Sequence, residues 1–331
     1  LKDERKPIHK AHKTRLFSAG PLDYLVACKM YFNGVVALLQ RTRNYSHISV
    51  GTNPHSRDWS TIVSVLLRKS SRLVAGDFEG FDASQNLRLL RASLEVLIEI
   101  SRRFLNSTDD DCAVMRVLAE GLLNSFHLVD SEVIQWTHSL PSGHYLTAII
   151  NSIFVNLAFC CVWQIAFRIK SAVFARAFWK ECGIVAYGDD HIVSIPQARL
   201  GVMNQLTLAS FFSLIGLSYT LEDKDAVASA PSRDITQVSY LKRSFSYDAV
   251  RGLWLAPLTL DTVLEAPMWM HVCPDEQLQT KEGLLTSVRE LAIHSPEEWS
   301  RWYPVFSNLL AEMGSYETLH NQDEVRDLVL E

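Results

Sequence analysis

The chain has 331 residues, 48% of them hydrophobic, and a formal net charge of −5. That length allows a large core and more than one subdomain, and the mild acidity excludes a uniformly basic nucleic-acid binder. Six cysteines without a CxxC pair read as reduced thiols rather than a disulfide scaffold, and eleven histidines show no HExxH or zinc-finger spacing.

The charge is unevenly placed. Residues 1–103 carry 17 Lys and Arg against 9 Asp and Glu, and the remainder carries 15 against 28. A positive channel inside an otherwise acidic protein is compatible with phosphate binding. The chain opens on a basic arm, Lys2-Asp3-Glu4-Arg5-Lys6, then Lys10 and Lys13-Thr14-Arg15. It is either a solvated arm or a set of phosphate contacts, for which the planar fork of Arg is suited. Leu73–Asp77 reads as an apolar strand ending in a carboxylate. A helix follows with Leu87, Leu90, Leu94, Leu97, Ile98, Phe104 and Leu105 on one face. Asp82 lies near its start, where a carboxylate can cap exposed amides. Phe126–Trp136 reads as a hairpin turning at Asp130-Ser131.

Pro141-Ser142-Gly143 forms a loop leading into an apolar helix, on which Thr147 and Asn151 share a face. Residues 148–166 are apolar enough to suggest a membrane span. Asn151, Ser152, Asn156 and Gln164 interrupt the run and favour a buried core helix. Ile184–Val193 places Gly188-Asp189-Asp190 between two short apolar strands, with residues 188–190 as the turn. This is either a solvated hairpin tip or a carboxylate cluster, which like-charge repulsion makes costly without a cation. Hard oxygen ligands point to magnesium. Asp77 at one strand end and Asp189 at another give a geometry for two metals ~4 Å apart. Further helical patterns fall at 279–293 and 300–314.

Taken in order, these segments resemble the palm motifs of RNA-dependent RNA polymerases of picornavirus-like positive-strand RNA viruses. GDFEGFD followed by ASQ is similar to motif A, PSGHYLTAIIN to motif B and YGDD to motif C. The basic arm is similar to motif F, Gly216-Leu217-Ser218-Tyr219-Thr220 with Asp223-Lys224 to motif D, and Tyr240-Leu241-Lys242-Arg243-Ser244-Phe245 to motif E. TRLFSAGP and APLTLDTVLEAPMW resemble dicistrovirus, iflavirus and marine picorna-like members.

The resemblance implies an α+β right-hand fold of fingers, palm and thumb, with an antiparallel palm sheet packed on helices and most of the N-terminal fingers missing. Residues 1–70 would be partial fingers, 71–246 the palm with a fingers insertion at 113–139, and 247–331 the thumb. It implies RNA-templated RNA synthesis in viral genome replication. Asp77 and Asp189 would hold two Mg2+ ions, with Mn2+ a substitute, Asp190 supporting and the Phe78 carbonyl an extra ligand. Asp82, Ser142, Gly143, Thr147 and Asn151 would read the ribose. Lys2, Arg5 and Arg15 would contact the triphosphate, and Lys224 would protonate the leaving pyrophosphate. Lys242 and Arg243 would grip the primer.

Implied partners are template and primer RNA, nucleoside triphosphates, a protein primer and other viral replication proteins, with no transmembrane segment. The implied place of action is the host cytoplasm, at membrane-associated replication complexes. Two other readings stand beside this one: a reverse transcriptase-like nucleotidyltransferase, and a non-catalytic polymerase-like RNA-binding fragment. Without the missing fingers the chain alone is expected to be weakly active or inactive.

Overall fold

A computed structural model describes residues 17–136, 139–169, 176–222, 228–315 and 321–330. Two compact units divide the chain. One takes the residues up to Gly51 together with Val65–Arg233, the other Thr52–Ser64 together with Asp234–Glu331. The break after Arg233 falls ahead of the palm edge expected at 246.

In chain order the helices and strands of the first unit begin with α1 (Leu22–Arg41) and α2 (Arg43–Ser46). Helix α3 (Arg57–Leu67) starts in the second unit and ends in the first. There follow β1 (Leu73–Glu79), α4 (Phe81–Ser84), α5 (Leu87–Phe104), α6 (Asp109–Leu123), the hairpin β2 (Phe126–Val129) and β3 (Glu132–Gln135), and α7 (Thr147–Ala166). The unit closes with α8 (Ala177–Glu181), β4 (Gly183–Tyr187), β5 (Asp190–Ser194), α9 (Leu208–Ser213) and β6 (Ser218–Leu221).

Four strands form one antiparallel sheet in the order β4-β5-β1-β6. The sheet and the helices packed on it give the α+β arrangement that the sequence implied. The outer edge of β4 is covered: Ser49 N–H donates to the Ala186 carbonyl at 2.9 Å, and Ala186 N–H to His47 at 3.1 Å.

Helix α5 starts where Asn86 accepts the Arg88 amide at 2.8 Å, and it buries Leu90, Leu94, Leu97 and Ile98 as a single stripe. Phe104 and Leu105, expected on that face, are exposed at the end of the helix, where Phe104 is its last residue and Leu105 the C-cap. A reciprocal cap between Thr108 and Asp111 opens α6. The hairpin β2–β3 turns at Asp130, at φ 54°.

Two described helices, α1 and α7, are long and apolar enough to cross a membrane. Thirteen of the twenty α7 residues are buried, against α5, β4 and α9, so α7 is the core helix expected. The sequence reading passed over α1, which buries only Cys28, Phe32, Val35 and Leu39 along one side.

The second unit holds the hairpin β7 (Ser246–Asp248) and β8 (Leu253–Leu255), then α10 (Leu260–Glu265), α11 (Glu276–Ala292), α12 (Pro296–Glu312) and α13 (Gln322–Leu330). Its core gathers Val263, Leu284, Val288, Leu291, Phe306 and Leu310. Trp59, fully buried, stacks on Phe245 at 4.9 Å, which explains why residues 52–64 belong here.

Glu290 anchors the same unit. It accepts two hydrogen bonds from the Arg243 guanidinium, at 2.9 and 2.8 Å, and pairs with His55 Nε2 at 3.0 Å. Burial opposes its ionisation, but the His55 and Arg243 hydrogen bonds and the Arg243 charge outweigh burial and hold its carboxyl down to about 2. A depressed carboxylate stabilises the fold above its unfolded pKa and loses that contribution as pH falls through its folded one. Glu290→Gln is therefore expected to cost about 3 kcal/mol of stability at neutral pH, by urea titration. The gap from the unsubstituted chain should shrink between about pH 4.5 and pH 2. An equal gap at both ends of that window would exclude the ion pair as its source.

Candidate active site

Antiparallel registry brings the acidic residues together. Gly76 pairs with His191 in β1–β5, so one further step sets Asp77 opposite Asp190. Directly opposed residues of an antiparallel pair have Cα atoms about 4.5–5.5 Å apart. Tyr187 pairs with Asp190 across the β4–β5 hairpin, which leaves a two-residue turn of Gly188 and Asp189. The turn is one residue tighter than 188–190, and Gly188 supplies its positive φ of 65°. All three aspartates are half-buried. Asp77 Oδ1 accepts the Phe78 amide at 2.8 Å. Glu79 is exposed, as a solvated carboxylate.

Beneath the carboxylates lies a buried polar chain that the sequence did not reveal. His191 is enclosed by Phe78, Phe159 and Tyr219 at ring distances of 5.3, 5.0 and 5.5 Å. Burial pushes its pKa down to about 4, so the imidazole is neutral near pH 7. Its Nδ1 faces the Asp189 carbonyl at 2.7 Å, and a carbonyl can only accept, so Nδ1 carries the proton. Nε2 then accepts from the Tyr219 hydroxyl at 3.2 Å. Tyr219 lies on Gly76: a Cβ there would meet its Oη at 2.1 Å.

Ser152 makes the second tie. Gly188 N–H donates to its Oγ at 2.8 Å, and its hydroxyl donates to the Ala148 carbonyl at 2.6 Å. The turn is thus held from below by β6, through Tyr219 and His191, and from the side by α7. Ser152 stood in the sequence only as an interruption of an apolar run. His191 and Tyr219 looked like ordinary strand residues.

A second polar group collects from two segments. Asp82 sits in α4 rather than capping the long helix, and its Oδ2 accepts the Ser142 hydroxyl at 3.1 Å. Thr147 donates to the Pro141 carbonyl at 3.0 Å and so braces the loop below it. Gly143 has a φ of 110°, and the neighbouring Ser142 carbonyl accepts the Ser18 amide at 2.7 Å. Asn151 is buried, and its Oδ1 accepts from Gln85 Nε2 at 2.8 Å. Gln85 is a further site residue that the sequence reading left unassigned.

The remaining expected residues fall elsewhere. Lys2, Arg5, Arg15 and Lys224 lie outside the described residues. Leu241 and Lys242 form a two-residue turn with φ 52° and 61°, closed by hydrogen bonds of 2.9 Å in both directions between Tyr240 and Arg243. That turn leaves Lys242 exposed, whereas the Arg243 guanidinium is committed to Glu290 and to the Ala256 carbonyl.

Among the described residues no group of three His, Cys, Asp or Glu side chains is gathered closely enough to hold an ion. The donor set at the strand ends is nonetheless all carboxylate oxygen, the chemistry that suits a hard divalent cation.

Comparison with known proteins completes the picture. The chain is 34% identical over 316 residues to the replicase polyprotein of Acute bee paralysis virus (strain Rothamsted), covering 93% of this chain and 16% of that polyprotein. It is 31% identical over 315 residues to the replicase polyprotein of Drosophila C virus (strain EB), covering 91% and 18%. The chain therefore spans less than a fifth of the length of either relative. Among solved structures, Sicinivirus 3Dpol RNA dependent RNA polymerase shares the fold at a TM-score of 0.79 and 19% identity, over 99% of this chain and 66% of that one. The family described as viral RNA-dependent RNA polymerase matches residues 1–310. This family match across nearly the whole chain, with the dicistrovirus replicase relatives beside it, shows that the chain belongs to the viral RNA-dependent RNA polymerases, on their picorna-like side.

Proposed function

We propose that this chain forms the catalytic part of a replicase that copies viral RNA into RNA, adding a ribonucleotide to a primer 3′ hydroxyl with release of pyrophosphate. The observation that carries the reading is the β1–β5 register, in which Gly76 pairs with His191 and so brings the next residues, Asp77 and Asp190, to neighbouring strand ends, with Asp189 on the adjoining turn. Polymerases of this family use divalent metal ions. Here Asp77 and Asp189 would hold two Mg2+, or Mn2+ in substitution, aided by Asp190 and the Phe78 carbonyl. When bound, such ions lower the pKa of the attacking hydroxyl and neutralise charge on the triphosphate.

The chain's own groups bind and orient. Asp82, Ser142 and Asn151 read the ribose, with Thr147 and Gly143 shaping the loop that carries Ser142. Lys2, Arg5 and Arg15 contact the triphosphate, and Lys224 gives a proton to the departing pyrophosphate. Lys242 contacts the primer backbone, while Arg243 is held by Glu290 and shapes the turn that presents Lys242. In this reading residues 1–70 are fingers, 71–246 palm and 247–331 thumb. The partners are template and primer RNA, nucleoside triphosphates, a protein primer and other viral replication proteins, at membrane-associated complexes in the host cytoplasm.

The test is RNA-primed extension on an RNA template, in Mg2+, by the polymerase that carries these residues. Ribonucleotides are expected to be used at least about 10²-fold better than deoxyribonucleotides, because a site built to bond a hydroxyl is left unpaired by the analogue lacking it. Equal use of both sugars would move the chain to the reverse transcriptase class. RNA binding without any extension would leave a binding module.

A further inference from the structure

Gln85 is only 1% exposed and stands at the C-terminal end of α4, three residues after Asp82. Its Nε2 is used by Asn151, yet its Oε1 is buried without a hydrogen-bond partner. A buried, unpaired amide oxygen weakens a fold, and an apolar side chain of similar volume would not carry that cost. An apolar replacement would in turn strand Asn151 Oδ1, so what this residue serves is its one side-chain partner, Asn151, the residue assigned above to the sugar.

We propose that Gln85 is a positioning residue that fixes the hydrogen-bond polarity of the ribose site. By donating to Asn151 Oδ1, it leaves the Asn151 amide nitrogen as the group offered to the sugar. This deepens the polymerase reading above and rests on it.

The logic is the donor and acceptor inventory of a hydroxyl. A 2′ hydroxyl has one proton to give and lone pairs to receive. Ionised Asp82 can only accept, and one of its oxygens already takes the Ser142 hydroxyl. If Asn151 also presented an oxygen, two acceptors would compete for one proton. With the nitrogen presented, the hydroxyl gives its proton to Asp82 and receives one hydrogen bond from Asn151. A deoxyribose satisfies neither. Asp82 and Gln85 are spaced one helical turn apart, and each reaches a different part of the 142–151 segment.

The experiment compares kcat/KM for ribo-, deoxy- and 2′-amino-nucleoside triphosphates in the polymerase carrying these residues, with Gln85→Met and Gln85→Glu beside the unsubstituted enzyme. Gln85→Met keeps the volume and removes both the tether and the orphan oxygen. Its ribo-to-deoxy preference is expected to fall about ten-fold while its melting temperature changes little, since one orphan oxygen, Gln85 Oε1, is exchanged for another, Asn151 Oδ1. Gln85→Glu offers Asn151 an acceptor, turns the Asn151 oxygen toward the sugar, and is expected to penalise ribonucleotides more than the donor-rich 2′-amino sugar. A folded Gln85→Met with unaltered sugar preference overturns the proposal, as does a loss equal for all three sugars. An unsubstituted enzyme that extends RNA with no sugar preference overturns the ribose-site reading beneath it. Should Gln85→Glu not fold, the Gln85→Met comparison decides alone.

Discussion

Alanine at Asp189 is expected to lower RNA-primed extension by on the order of 10³-fold or more, with no loss of folding. The side chain sits on a two-residue turn and is half-buried, so removing it opens no core cavity. The turn keeps its supports, because His191 bonds the Asp189 backbone carbonyl and Ser152 bonds the Gly188 amide. What disappears is the carboxylate proposed above to hold cations against the triphosphate. Asp190→Asn should cost less, since Asp190 is cast as support. Single-turnover extension at saturating nucleotide, with thermal unfolding in parallel, separates chemistry from stability. Wild-type extension by a folded Asp189→Ala variant would remove the polymerase reading.

Gly76→Ala is expected to be the most damaging small substitution. The added methyl would lie 2.1 Å from Tyr219 Oη and 2.3 Å from its Cζ, so the ring must leave. Leaving breaks the Tyr219–His191 bond and strands His191 Nε2 in an apolar enclosure. Overpacking and the lost hydrogen bond together are expected to cost about 3 kcal/mol. Asp77 follows Gly76 directly, and a misplacement of about 1 Å at a reacting centre can cost 10²-fold in rate. The double variant Gly76→Ala with Tyr219→Leu relieves the clash but leaves His191 Nε2 stranded, so it should regain the overpacking part of the stability while recovering little activity. Melting temperatures and extension rates across the four-member cycle test this coupling. A Gly76→Ala chain that melts and extends like the parent would show that the ring does not occupy that space.

Much of this was legible along the chain because it is written in local pattern. The strand at Leu73, the hairpin around Gly188, the buried α7 and the helices at 276–292 and 296–312 all follow from short-range periodicity and turn chemistry. What local pattern cannot carry is the partner of a buried polar group. Gln85 meets Asn151 across 66 residues and Arg243 meets Glu290 across 47, and neither pairing leaves a mark in its own neighbourhood. His191 reads as one more residue of an apolar strand until Tyr219 and the Asp189 carbonyl are seen around it. Residues 52–64 join the second unit because Trp59 finds Phe245, a choice made by packing rather than by composition.

Asn151 and Ser152 are consecutive on one helix, the first bonded to Gln85 and proposed above to meet the sugar, the second fastened to the aspartate turn. A stiff rod that senses its cargo at one residue and steadies the reactive centre at the next transmits a mismatch as misalignment. In the proposed reading, a wrong sugar that tugs or rolls this rod would spoil the trajectory of attack, and fidelity at this centre would reside in turnover more than in affinity.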